Sequence, residues 1–327
     1  MNALDIYFYE AFEEEQHLLE QNLERSSVKA GFTWKTIQES GHKHPEAKII
    51  STRTQSIIPA SWVNQITAIL SRSTGYDHLV RYRRQTQNSS IHLGYLPLYC
   101  HRAVAEQAML LWTSLVRKLP AQLQKFNEFN RDGLSGLENE NKNLLVVGVG
   151  NIGYQIVKIG RGLGMQVRGV DIEQKHDDVH YTSIDKGLEQ ADIIVAAMNL
   201  TELNQGYFNI QLFRKARKKP VFVNIARGEL SPPAALREAL DQRYLSGVAL
   251  DVYDGERELA HQLRSKEGVE DKRVNILLQL AEYPNVIMTP HNAFNTLEAV
   301  QRKAQQSIQQ IDYFLQNKQF LWNVPDA

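Results

Sequence analysis

A single cysteine, Cys100, stands in a chain of 327 residues. That excludes an internal disulfide framework and a thiolate metal cluster. No charge excess exists either, because 37 Lys and Arg offset 37 Asp and Glu. A balanced chain carries no electrostatic footprint for nucleic acid or an anionic membrane. Long apolar runs are missing too. Stretches such as residues 193–198 fall far short of the roughly 20 residues needed to cross a bilayer. Residues 1–15 are acidic and have no basic stretch ahead of an apolar one. The expectation is a chain without a secretory signal, hence a cytoplasmic protein. There is no internal repeat and no low-complexity tract.

What is present is a long chain with 43% apolar residues, enough for two domains with substantial cores. Short β-rich runs alternate with amphipathic stretches, the pattern of α/β layers on parallel sheets. Residues 6–9, 48–51 and 68–72 read as strands of a first unit. Val104, Ala108, Leu111, Leu115 and Leu119 form one helical stripe, taken as a helix linking the domains and ended by Pro120. Six more strand candidates follow at 144–147, 167–170, 193–197, 221–225, 248–252 and 286–288. Ser231-Pro232-Pro233 reads as an N-cap with proline in the first turn. A final helix over 297–315 carries Leu297, Val300, Ala304, Ile308, Ile311 and Leu315 on one face, and is expected to return to the first domain.

The run 144–147 leads directly into Gly148-Val149-Gly150-Asn151-Ile152-Gly153. A helix follows, with Ile152, Ile156, Ile159 and Leu163 on one side. Gly148 permits a tight turn, Gly150 lets a pyrophosphate approach the backbone, and Gly153 lets the helix pack against the strand. Amides at the helix N-terminus then hold the phosphates. Glycines at this spacing are often only a turn. Here the next strand ends in Asp171, close to the ~20-residue offset of a ribose-binding carboxylate. Ile172 and Glu173 follow, and no arginine stands beside Asp171 to receive a 2′-phosphate. The expected cofactor is therefore NAD.

Three polar clusters sit just past later strands: Asn224 to Gly228, Ala249 to Glu256, and Thr289 to Ala293. Ligands of open parallel sheets bind at the carboxyl ends of the strands. Arg227, Asp251 and His291 are thus expected on the same crevice as the glycine turn. Singly, each has a more common explanation: a surface arginine, a capping aspartate, a satisfied histidine. Their joint placement favours a site. His42 and His44 flank Lys43 without a carboxylate or cysteine at ligand spacing. They read as a solvated loop, with no metal site.

With these motifs in hand, the chain resembles the D-isomer-specific 2-hydroxyacid dehydrogenases over nearly its whole length. Ser73-Thr74-Gly75-Tyr76-Asp77 is similar to that family's substrate-carboxylate loop. Pro97-Leu98-Tyr99 with Ala103-Val104-Ala105-Glu106 resembles its hinge. The glycine turn with Asp171, the Asn-x-Ala-Arg-Gly segment, the Leu-Asp-Val-Tyr-x-x-Glu segment and Thr-Pro-His occur in the family's order. The resemblance implies two Rossmann-like or flavodoxin-like domains with parallel sheets and a cleft between them. Residues 1–98 with 295–327 would be the substrate domain, and 99–294 the NAD-binding domain. It also implies roles. Arg227 would grip the substrate carboxylate and polarise the keto oxygen, with backbone amides near Thr74 and Gly75, on the substrate-binding loop that opens at Ser73, holding the same carboxylate. His291 would be the acid and base, and Glu256 would fix its tautomer. Asp251 would contact the nicotinamide carboxamide, and Ala226 and Asn199 would line the cofactor. Asn199 stands where the family usually has proline. Cys100 replaces a frequent serine and reads as a packed thiol.

The long connection from Glu256 to His291, with Tyr99 and Phe294 at side-chain-pocket positions, resembles the D-lactate dehydrogenase branch. The expected reaction is reversible hydride transfer between NADH and a small 2-keto acid, pyruvate foremost. Alternatives are a glyoxylate or hydroxypyruvate reductase, a D-3-phosphoglycerate dehydrogenase-like enzyme, or an NAD-sensing corepressor. The small acid is the expected partner, with a homodimer implied by the family. Asp171 predicts that NADH is used in preference to NADPH, and that Asp171→Ala narrows the gap through weaker NADH binding. Cofactor titrations check this; equal use of both by the unaltered protein contradicts it.

Overall fold

A computed structural model describes residues 4–88, 90–266, 268 and 270–325. The chain divides into two compact units: Met1–Cys100 with Asn295–Ala327, and His101–Phe294. The first crossing thus falls after Cys100, two residues later than the expected boundary, and Tyr99 belongs to the first unit.

In the first unit, strands β1 (Ile6–Phe8), β2 (Ala30–Phe32), β3 (Ile49–Thr52), β4 (Ala68–Ser71) and β5 (His92–Gly94) form one sheet in the order β2-β1-β3-β4-β5. All pairings are parallel. β3 and β4 are buried along their whole length, as strands covered on both faces must be. β2 and β5 were not among the expected strands. Each is three residues long, lies at a sheet edge and contains glycine, so neither has an apolar pattern to read. Aromatic rings close over those glycines: a Cβ on Gly31 would stand 2.6 Å from the Tyr7 ring, and one on Gly94 2.5 Å from the Phe320 ring.

In the second unit, β6 (Asn143–Val147), β7 (Gln166–Val170), β8 (Ile193–Ala196), β9 (Val221–Asn224), β10 (Gly247–Leu250) and β11 (Val286–Met288) form a parallel sheet. Its order is β11-β10-β9-β8-β6-β7. The chain moves outward from β6 in both directions, so the end of β6 is the topological switch point where ligands bind. Gly148 to Gly153 occupy that point.

Two local expectations are corrected. Pro120 does not end the linking helix. That helix runs His101–Val116, Lys118 adopts a left-handed φ of 53°, and Pro120 lies in the first turn of a separate helix, Leu119–Lys125. Proline is tolerated there because its missing N–H would find no partner. Ser231 is not an N-cap; Pro232 takes that position before the helix Pro233–Asp241. The Ser231 hydroxyl instead accepts from Asn224 Nδ2 at 2.8 Å.

The helix Leu297–Asn317 belongs to the first unit and carries Lys303, which is fully buried. Lys303 Nζ lies 2.6 Å from Glu15 Oε1, and Arg72 Nε donates to the same oxygen at 2.8 Å. Arg72 also donates to Ser51 Oγ and to the Tyr9 carbonyl, which fixes the residue immediately before Ser73. Burial alone would push the Glu15 carboxyl up, but the Arg72 and Lys303 charges outweigh it and hold it down at about 2. An acid held below its unfolded value lends stability that is present above the unfolded range and lost as pH falls through the folded one. Burial lowers the Lys303 ammonium to about 7 even with Glu15 beside it. In Glu15→Gln, Lys303 therefore becomes neutral and the buried Arg72 guanidinium is left without a counter-charge, which should cost about 3–5 kcal/mol. Denaturant unfolding at pH 7 and at about pH 3 checks both statements, the second value lying between the unfolded and folded carboxyl ranges; an unchanged midpoint at pH 7 contradicts the account.

Candidate active site

The glycine turn opens the site. Gly148 has a φ of 94°, and a Cβ there would meet the Met198 backbone nitrogen at 2.4 Å. Gly153 faces the Gly148 carbonyl oxygen so closely that a Cβ would lie 1.9 Å from it. A Cβ on Gly150, in contrast, would meet nothing within 4 Å. Gly150 is the N-cap of the helix Asn151–Gly162 and offers no side chain to its amides. First-turn amides beside open space fit an anionic group such as a pyrophosphate. Asn151 is exposed and Ile152 half-buried at the start of this helix, and exposed Asn199 follows Met198.

Asp171 lies at the end of β7. Its Oδ2 accepts from the Val149 amide at 2.5 Å and its Oδ1 from the Glu173 amide at 3.1 Å. The carboxylate therefore ties the second strand to the glycine turn. A carboxylate has about four acceptor sites, so capacity remains for ribose hydroxyls.

Arg227 sits on a turn past β9. Asn224, fully buried, accepts from the Ala226 amide at 3.0 Å and donates to the Arg227 carbonyl at 2.9 Å. Gly228 lies against the next loop: a Cβ would stand 1.8 Å from the Tyr253 carbonyl carbon. The turn after β9 and the loop after β10 are therefore locked together by a missing side chain.

Asp251 follows β10 and is 1% exposed. Its Oδ1 accepts from Thr289 Oγ1 at 2.6 Å and the Asn292 amide at 2.8 Å; its Oδ2 accepts from the Ala293 amide at 2.9 Å. Burial pushes this carboxyl above the usual carboxylate range, against those hydrogen bonds and the nearby His291. The structure thus gives Asp251 a use the sequence did not reveal: it braces the loop that carries His291. Tyr253 adds a second brace, its hydroxyl reaching the Thr289 carbonyl at 2.6 Å.

His291 itself has a φ of 51°, a left-handed conformation unusual for a residue with a side chain. His291 Nδ1 lies 2.7 Å from Glu256 Oε1. Glu256 is the first residue of the helix Glu256–Ser265, after Gly255 with a φ of 86°. A carboxylate there is favoured by the helix dipole. Arg273 bridges Asp254 at 2.8 Å and Asp271 at 2.6 Å, closing the turn from outside. With Nδ1 engaged by the carboxylate, Nε2 is the atom that can exchange a proton with a substrate.

The first unit places Ser73, Thr74 and Gly75 past the end of β4. Ser73 Oγ donates to the Gly75 carbonyl at 2.7 Å, and Thr74 Oγ1 lies 3.3 Å from Cys100 Sγ. Tyr99 is buried, its carbonyl accepting from Arg302 Nε at 2.9 Å. Phe294, also buried, closes the second unit.

Comparison with known proteins agrees with this arrangement. The family model for the NAD-binding domain of D-isomer specific 2-hydroxyacid dehydrogenases matches residues 108–293, more than half of the chain. An aromatic 2-oxoacid reductase of Clostridium sporogenes is 33% identical over 230 residues, covering 68% of this chain and 69% of that one. A D-lactate dehydrogenase of Streptococcus agalactiae is 31% identical over 242 residues, covering 72% of each. Among solved structures, D-lactate dehydrogenase from Aquifex aeolicus complexed with NAD and lactic acid superposes with a TM-score of 0.83. It shares 23% identity over 99% of this chain and 100% of that one. The chain belongs to the D-isomer-specific 2-hydroxyacid dehydrogenases. It is an NAD-dependent oxidoreductase acting on the CH–OH group of a 2-hydroxy acid.

Glycine geometry separates two kinds of damage. Gly150→Ala places its methyl in open space, so the melting temperature should hold while NADH affinity falls roughly tenfold, ~1.4 kcal/mol. Gly153→Ala forces its methyl into a backbone carbonyl and should cost about 1–3 kcal/mol of stability as well. Fluorescence titration and thermal unfolding of both variants check this; equal stability loss in the two contradicts it.

Proposed function

We propose that this enzyme interconverts a small 2-keto acid, pyruvate foremost, and its D-2-hydroxy acid. The observation that carries the reading is the 2.7 Å pair of His291 Nδ1 and Glu256 Oε1 on a loop braced by Asp251. In this reading His291 Nε2 gives its proton to the keto oxygen in reduction and takes it back in oxidation. Glu256 orients the ring and offsets its charge. Arg227 supplies a planar guanidinium for the carboxylate, and the Ser73–Gly75 amides supply neutral donors. Bound NADH supplies the hydride. Gly148, Gly150, Asn151, Ile152 and Gly153 hold its pyrophosphate, Asp171 its ribose, and Ala226 and Asn199 flank it. Oδ2 of Asp251 retains one acceptor site for the carboxamide.

Tyr99 and Phe294 are proposed as the walls for the substrate side chain. The unit of residues 1–100 and 295–327 serves substrate and residues 101–294 serve NAD. The D-lactate dehydrogenases among the relatives support pyruvate. The Clostridium sporogenes relative favours an aromatic 2-keto acid as the second reading. A homodimer is supported by Leu123, Phe126 and Phe129, exposed at 68%, 72% and 77% within one short stretch. A cytoplasmic setting is proposed as well, since a chain with one cysteine suits a reducing compartment.

NADH oxidation against pyruvate, hydroxypyruvate, glyoxylate and phenylpyruvate tests the substrate. The highest kcat/KM with pyruvate is expected, and preference for any other acid overturns that choice. The proton role has a separate test. Reduction consumes a proton through His291 and oxidation returns one, so the reduction rate should fall and the oxidation rate rise with increasing pH. His291→Ala should lower both by about 10²–10⁴. A variant that binds NADH and reduces pyruvate at the normal rate contradicts the mechanism.

A further inference from the structure

The Ser73–Gly75 loop is held by a chain of hydroxyls whose proton directions can be derived. Ser73 Oγ donates to the Gly75 carbonyl at 2.7 Å. Its single proton is then committed. Ser71 Oγ lies 2.6 Å from Ser73 Oγ, so Ser71 must donate to Ser73. The Ser71 proton is committed in turn, and His78 Nε2 stands 3.1 Å from Ser71 Oγ. Nε2 must therefore be the donor. The direction of the whole relay is set at His78, in the first turn of the helix Asp77–Thr86.

The relay fixes backbone. Ser73 Oγ anchors the peptide between Gly75 and Tyr76 by its carbonyl. The Leu96 amide anchors the peptide between Ser73 and Thr74 by its carbonyl, at 3.2 Å. In a trans peptide the N–H points opposite to the C=O, so the Thr74 amide is turned away from Leu96. The peptide between Thr74 and Gly75 is bracketed by the two anchored ones. Thr74 Oγ1, 3.3 Å from Cys100 Sγ, steadies the loop from its other side. Ser71 and Ser73 are buried, so water does not readily replace the missing member of the relay.

We propose that His78 is a positioning residue for substrate binding: through Ser71 and Ser73 it holds the Thr74 and Gly75 amides in the orientation that receives the substrate carboxylate. This rests on the reading that those amides bind the carboxylate. In this reading His78 acts through Ser71 and Ser73, with no contact of its own to substrate or cofactor. Its removal should act on substrate affinity and leave the chemical step and NADH binding alone. Without the Nε2 donor, the Ser71 and Ser73 protons have no fixed direction, and the Gly75 carbonyl loses its anchor for part of the time.

Steady-state kinetics with pyruvate, NADH titration and thermal unfolding are measured for four variants. His78→Leu and Ser71→Ala should each raise KM about tenfold, the worth of one positioned hydrogen bond, with kcat within about twofold. His78→Gln, whose amide carries an N–H donor at similar reach, should restore KM to within about threefold. Thr74→Pro deletes a carboxylate-binding amide outright and should raise KM whether or not the relay matters. A raised KM in Thr74→Pro with an unchanged KM in His78→Leu overturns the His78 role and spares the carboxylate reading. An unchanged KM in a folded Thr74→Pro overturns the carboxylate reading and the proposal with it. Should His78→Leu lower kcat as much as it raises KM, or His78→Gln fail to rescue, His78 is a general structural residue and the proposal is wrong.

Discussion

Three hydrogen bonds converge on the buried carboxylate of Asp251, from the Thr289 hydroxyl and the amides of Asn292 and Ala293. The rest of the proposed catalytic arrangement depends on them. They bracket His291, whose backbone sits in a left-handed conformation that a side chain does not favour. Strain of this kind persists only where surrounding bonds over-determine it. Asp251 follows directly on β10, which is paired on both sides, so the brace is referenced to an interior strand of the second sheet. Glu256 then needs only a short turn and a helix N-terminus to reach Nδ1. The pair proposed for proton transfer is thus positioned by one carboxylate and oriented by another.

Glycines do the complementary work by omission. Gly228 lets the turn bearing Arg227 close onto Tyr253, and Gly153 lets a helix N-terminus approach the first strand of the second unit. In both places two backbones meet where a methyl group would not fit. Gly150 differs, since its missing side chain leaves open space rather than a contact. The same residue type therefore secures the protein against itself in two positions and leaves open space beside helix amides in a third.

Much of this was legible in the sequence because β6, β8, β9 and β10 are buried along nearly their whole length and read as continuous apolar runs ending in polar clusters. Gly148 to Gly153, Asp171, Arg227 and His291 stood out by chemistry at strand ends, and Glu256 came with the family resemblance. Edge strands β2 and β5 did not, being short and glycine-bearing. Pro120 and Ser231 misled because proline and serine signal helix starts, stops and turns alike, and only the backbone decides among them. The buried Glu15, Arg72 and Lys303 were illegible for another reason: Arg72 lies 57 residues from Glu15, and nothing local marks three charges as partners. Nor could spacing show that Asp251 braces the histidine loop, or that Asn224 pins the arginine turn.

The central claim is that Glu256 acts through His291 and has no separate part in the reaction. Single-turnover NADH oxidation with pyruvate, measured for Glu256→Gln, His291→Ala and the double variant, tests this most directly, because coupled residues are not additive. The account predicts that the double variant is no slower than His291→Ala alone. A double variant slowed by the product of the two single effects would contradict it.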